Sequence, residues 1–256
     1  MKGDRRHLYV VVGVLSSALF VALAVRHLEL ESVKRALSSA RIWPFEPLAV
    51  GSYLIGHLVR GVRCRLLVSR EARLGLSTAT NVVVLGYAVN NVLPARLGEI
   101  ARAGMLSKTS GLPFVHSLSV TFLERILDGL ALLVLLVVAG SALPQITWIG
   151  ATLRVSSLVF GVAALCVLLA VVAPSAILSI TSGIAQIFGG RVHDLAIGAV
   201  SQLAAGVSYL RSAPSAAAIA ALSLVVWILE GGMFLALLPA FGLPADPWLA
   251  LTAMCV

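Results

Sequence analysis

Apolar residues along this chain fall in long runs separated by short charged stretches, and the runs predict helices. Residues 8–25 are eighteen positions without a charge, close to the ~20 mainly apolar residues that a helix needs to cross a bilayer. Residues 26–47 form a polar connection whose Trp43-Pro44-Phe45 suits the level of a membrane interface. A second span, 48–68, carries His57, Arg60, Arg63 and Arg65, and its last two turns are expected to emerge among head groups. Residues 74–94 are apolar but interrupted by Ser77, Thr78, Thr80, Asn81, Asn90 and Asn91. Basic sequence on both flanks predicts that this segment enters and returns without crossing, which a helix can do only where protein or water surrounds its turn.

Further along, 126–143 crosses again, 155–173 crosses back, and 216–238 is another span. Between 184 and 210 the apolar residues recur mostly at steps of three and four, which predicts one amphipathic helix lying along the interface or packed on the bundle. Arg191, His193, Asp194 and Gln202 occupy its other side. The last apolar run, 248–256, is too short to cross, and the expectation is of a fragment that ends within a segment. The fold class is thus all-α: one integral membrane domain over 1–256, a polytopic helix bundle with a re-entrant and an amphipathic helix.

Composition agrees. The 256 residues are 59% hydrophobic and only 12% charged, with a mean hydropathy of +1.01, which leaves too little polar surface for a water-soluble fold. The net charge of +8 sits entirely in the first half, where residues 1–128 hold 16 Lys/Arg against 8 Asp/Glu and residues 129–256 hold 3 against 3. These basic groups flank apolar runs, so positive-inside bias and contact with anionic lipid explain them better than nucleic acid does. Arg60, Arg63, Arg65, Arg70 and Arg73 place the end of the second span inside, and with it a cytoplasmic amino terminus in the plasma or inner membrane. Lys2, Arg5 and Arg6 before the first run resemble a signal peptide, but no small-residue cleavage site follows, and an uncleaved helix is the better reading. Cys64, Cys166 and Cys255 are scattered packing residues that suggest neither disulfides nor a metal centre.

The charges that remain cluster tightly. Asn90-Asn91-x-x-Pro94 ends an apolar segment; it is either an ordinary turn or a helix broken at membrane depth whose freed backbone meets a polar group. Arg96, Glu99 and Arg102 follow at three-residue spacing. They neutralise one another on one face, or, with two cations against one acid, present forked donors to a phosphate. Gly98 between them allows close approach of a helix or a ligand. Glu124-Arg125-x-x-Asp128 opens the next span. Its acids cap the helix dipole or, repelling one another one turn apart, are relieved by Arg96 or Arg102 or by a cationic ligand. Glu230 lies deep within its span, where an ionisable group is expected to face an arginine, a substrate amine or a watered cavity. His57 reads as a hydrogen-bonded packing histidine. The candidate head-group site is Asn90, Arg96, Gly98, Glu99, Arg102, Glu124, Arg125, Asp128 and Glu230. The chain has no nucleophile–base set, phosphate loop, dinucleotide fingerprint or metal spacing, so neither catalysis nor a cofactor is expected.

Asn90, Leu93-Pro94, Arg96, Gly98-Glu99, Arg102, Lys108 and Glu124-Arg125-x-x-Asp128, with Arg60-x-x-Arg63-x-Arg65-Leu66-Leu67 upstream, resemble the transmembrane domain of lysylphosphatidylglycerol synthases, the flippase-like domain family. The resemblance implies a polytopic bundle with re-entrant helices that moves a phospholipid or a polyprenyl-phosphate lipid between leaflets. In the multiple peptide resistance factors this domain translocates an aminoacyl-phospholipid made by an attached cytosolic domain; relatives occur beside glycosyltransferases. The alternative function is a non-transporting partner that presents lipid-linked sugar to a separate glycosyltransferase, and homo-oligomers are a further possible assembly. Neither an aminoacyltransferase nor a glycosyltransferase domain lies within these residues, so synthase activity is not carried over. Family members usually continue into a second Pro/Gly-rich re-entrant motif, which is expected about where these residues end.

Overall fold

The computed structural model describes residues 26, 29–92, 97–142, 147–187 and 189–255, and helix is the only regular structure among them. The expected span at 8–25 and the Leu93-Pro94 step lie outside the described residues. Ten α-helices follow in order: α1 (Leu30–Ser39), α2 (Phe45–Leu67), α3 (Leu76–Val92), α4 (Gly98–Ser110), α5 (Phe114–Ala142), α6 (Thr147–Val172), α7 (Pro174–Gln186), α8 (Gly190–Gly206), α9 (Ala213–Leu237) and α10 (Pro247–Cys255). Short 3₁₀ turns at Ser208–Arg211 and Leu238–Phe241 flank α9.

Local signals set the ends of these helices. Glu46 in the first turn of α2 and Arg65 in its last complement the helix dipole. Gly111, at φ 75°, takes the left-handed conformation that closes α4. Pro174 starts α7, where its missing N–H removes no bond. Ser212 caps α9 by accepting from the amide of Ser215 at 3.3 Å.

α2 is the axis of the bundle, packed lengthwise against α9 on one side and α3 on the other. Small residues allow this: a Cβ on Gly61 would collide with Thr80 of α3, and Ser52 Oγ donates to the Leu229 carbonyl of α9 at 2.6 Å. Close backbone approach of this kind holds membrane helices together where apolar burial against lipid gains little. α5 crosses behind α2, α4 and α9. Cys64, Leu67, Val82, Val83, Leu106, Val120, Leu123 and Ile219 form the dry core between them. α6 stands outermost: Leu158, Val162, Leu165 and Leu169 are exposed, as residues facing hydrocarbon chains would be. Arg154–Val172 and Ala213–Phe241 are long and apolar enough to cross a membrane.

Three expectations need correction. The last turns of α2 do not emerge as a unit: Arg65 is exposed, but Arg60 and Arg63 are 2% and 0% exposed, because they turn inward toward acids on other helices. The segment 184–210 is two helices, α7 and α8, packed on one another. They separate at Gly189, whose φ of 95° an α-helix cannot contain. The connection 26–47 contains a helix, α1, with Leu30, Val33 and Leu37 exposed along one side.

Candidate functional site

Six ion pairs join α2, α4, α5 and α9 into one cluster. Arg63 of α2 donates to Asp128 Oδ1 at 2.6 Å and to Ser223 Oγ at 2.9 Å, and lies 3.4 Å from Glu124 Oε1. The other oxygen of Glu124 accepts from Arg102 of α4. One buried carboxylate therefore bridges two guanidinium groups. A turn away on α2, Arg60 donates to Glu230 Oε2 of α9 at 2.9 Å. Arg125 of α5 sits 3.3 Å from Glu99 Oε1 and 3.5 Å from Asp128 Oδ2. Among the described residues the cluster holds Arg60, Arg63, Arg102 and Arg125 against Glu99, Glu124, Asp128 and Glu230. Four cations against four anions make it formally neutral, the condition under which buried charge is tolerated away from water.

Aromatic rings join the two halves. Arg60 and Arg125 each lie 5.2 Å from the centroid of Tyr87, and Arg60 is 5.6 Å from that of Trp227, within range of cation–π attraction. The hydroxyl of Tyr87 accepts from Arg125 at 3.1 Å. His57 behaves as a packing residue: it is buried, meets the rings of Tyr53 and Tyr87 in tilted and edge-on contacts, and has Nδ1 3.0 Å from the carbonyl of Tyr53.

The Asn90–Glu99 stretch organises the opening of α4. α3 runs through Asn90 and Asn91 as continuous helix to Val92, so the break expected at the two amides is not at them. Asn90 instead reaches across: its Oδ1 accepts from the amide of Gly98 at 2.8 Å and its Nδ2 donates to Glu99 Oε1 at 3.3 Å. That caps an otherwise unsatisfied helix start. Gly98 allows the approach, since a Cβ there would overlap the Gly86 carbonyl oxygen and the Asn90 side chain. Gly86 does the same for Arg102, whose Cβ would lie 2.9 Å from a Cβ at position 86.

Burial divides the cluster. The side chains of Arg63, Arg102, Glu124 and Asp128 are 0–4% exposed, whereas Glu99 and Glu230 are 18% and Arg125 is 30% exposed. The expected partnership of Arg102 with an acid of α5 is present, as is an arginine partner for Glu230. Arg102 is thereby bound to Glu124 and closed off from an incoming head group; Arg96 lies outside the described residues. Sequence reading passed over Arg60, Arg63, Tyr87 and Ser223 as cluster members. The signal for the two arginines was their i, i+3 spacing on a helix that also carries Gly56 and Gly61, which marks one face as inward; Tyr87 and Ser223 left none. Several buried polar atoms keep no hydrogen-bond partner, among them Arg60 Nε, Arg63 Nη2, Glu99 Oε2 and Trp227 Nε1. The arrangement is a preformed set of donors and acceptors with unpaired atoms both in its interior, at Arg60 and Arg63, and at its more accessible edge, at Glu99.

No group of His, Cys, Asp and Glu suited to a metal ion occurs among the described residues. No curated protein and no solved structure matches the chain. Residues 10–256 match the family described as Lysylphosphatidylglycerol synthase TM region.

Proposed function

The chain belongs to the lysylphosphatidylglycerol synthase transmembrane family, a membrane domain related to lipid handling, and from that premise we propose that it moves a phosphate-bearing lipid, a phospholipid or a polyprenyl phosphate, between leaflets. One observation carries the reading: the charges of the cluster are closed in its interior and loose at its edge. Arg125 is 30% exposed and meets two carboxylates only at 3.3 and 3.5 Å, so it can exchange one of them for a phosphate oxygen without vacating a tight bond. A guanidinium offers a phosphate two parallel donors. Glu99 stands beside it, and Glu230 is held by Arg60 across the Tyr87 ring that both arginines approach; the two acids balance charge or take an ammonium group. Asn90 holds Glu99 in place, while the buried Arg63–Glu124–Arg102 array ties α2, α4 and α5 together.

In this reading α3 and α4 enter and return from one side, with the arginines that end α2 on the cytoplasmic face of the plasma membrane. The head group passes the polar edge while its chains stay in lipid, and the chain itself catalyses no bond change.

Proteoliposomes carrying a fluorescent short-chain phospholipid test this. Arg125→Gln should slow translocation by about tenfold or more, the loss of a charge-assisted hydrogen bond of roughly 1.5–3 kcal/mol. Arg125→Lys should recover part of the rate, and Glu99→Gln should slow it for lipids with a cationic head group in particular. Translocation by Arg125→Gln at the wild-type rate, with the protein folded, would remove the cluster from the transport path.

A further inference from the structure

A second polar concavity lies apart from the ion-pair cluster, where the chain turns from α2 into α3. Arg65, Ser69, Ala72, Arg73, Leu74 and Gly75 line a cavity of about 350 Å³. Arg65 and Arg73 are exposed, and neither meets a carboxylate or any other hydrogen-bond partner among the described residues. This sets them apart from Arg60, Arg63, Arg102 and Arg125, each of which has an acid. The turn itself is held rigid. Arg70 donates to the Ser208 carbonyl at 2.8 Å and lies 5.7 Å from the ring of Tyr209, while Glu71 accepts from Ser208 Oγ. Glu71, the acid nearest in sequence, is thereby occupied elsewhere. The amides of Arg73, Leu74 and Gly75 find no backbone acceptor.

Two free guanidinium groups line one hollow with three residues whose amides are unpaired and with no acid, while the Ser69 hydroxyl is already given to the Leu66 carbonyl at 2.7 Å; this is a chemistry for one class of ligand. We infer that this turn is a binding site for a phosphate group, separate from the transport cluster and independent of the function proposed above. Guanidinium forks and successive backbone N–H groups are the donors that hold phosphate in protein concavities. Rigid anchoring through Ser208 removes much of the ordering penalty that an exposed loop would otherwise incur on binding. The phosphate is either that of an anionic lipid at the bilayer surface or free in solution, and binding data separate the two.

The test uses the full chain purified in detergent and titrated by calorimetry with dioctanoyl phosphatidic acid and, separately, with inorganic phosphate. Wild type should bind the lipid. Arg65→Gln/Arg73→Gln should weaken it by about tenfold or more, and Arg73→Gln alone by less. The charge-matched control Arg154→Gln/Arg191→Gln removes two exposed arginines elsewhere and should bind as wild type does. Melting curves of all variants should coincide, since none of these side chains is buried. Binding of inorganic phosphate with the same dependence on Arg65 and Arg73 would identify a site for free phosphate; binding of the lipid alone would identify a lipid site. An equal loss in the control, no loss in the double variant, or no binding of either probe by wild type would overturn the site. Translocation does not enter the measurement, so its outcome is separate from that of the transport reading.

Discussion

Glu124→Gln is expected to lower the melting temperature of the protein sharply. The carboxylate is completely buried and is shared by Arg63 and Arg102. Neutralising it leaves Arg63 with Asp128 but strips Arg102 of its acid in a site 2% exposed. Breaking a buried pair by removing one partner destabilises by about 3–5 kcal/mol, because the remaining charge stays desolvated. For a protein of this size that is a fall in melting temperature of roughly 10 °C. Fluorescence-detected size-exclusion after stepwise heating would measure it. The companion variant Arg102→Leu/Glu124→Leu should recover most of the loss, since it removes both charges and leaves Arg63 its bond to Asp128. A Glu124→Gln protein that melts with the wild type would mean that the array contributes nothing to the fold.

Gly98→Ala should have the larger effect on activity. The added methyl falls on the Gly86 carbonyl oxygen and the Asn90 amide, and neither is the yielding end of a long side chain. α3 and α4 must part, at an overpacking cost of about 1–3 kcal/mol. With that shift Asn90 loses the Gly98 amide, and Glu99 moves away from Arg125. A displacement near 1 Å in a positioned group can reduce a rate on the order of 100-fold, so translocation should fall much further than stability does. Gly104→Ala is the control: a Cβ there meets nothing within 4 Å, and the variant should transport normally. Equal rates for Gly98→Ala and wild type would mean that the α3–α4 contact does not position the cluster.

The helices were legible in the sequence because long apolar runs leave the backbone no alternative to internal hydrogen bonding. The apolar runs at 48–68, 155–173 and 216–238 lie on helices α2, α6 and α9, although α6 begins earlier, at Thr147. α5 also begins earlier than expected, at Phe114, because charge content set the sequence boundary. Glu124 and Asp128 looked like a polar edge, whereas partners on other helices bring them inside. The same rule hid Arg60 and Arg63. Composition records how many charges a helix carries but not where their partners stand, and partners 61 and 65 residues from Arg63 and 170 residues from Arg60 leave no local trace. Gly189 was visible as a glycine, but its left-handed φ depends on the packing of α7 on α8. Gly98 was readable as a point of close approach, and there the structure agrees, with α3 as the neighbour.

The contrast between a sealed array and a solvent-facing turn has a further consequence, in ionic strength. Mobile ions screen exposed charges over a Debye length of ~10 Å at 0.1 M but reach desolvated pairs far less. Potassium chloride added to the bath should therefore leave the Arg63–Glu124–Arg102 linkage, and with it the melting temperature, almost untouched. At the surface the same salt competes directly with any anion held by Arg65 and Arg73. The chain thus carries two electrostatic systems, one insulated from its medium and one that responds to it.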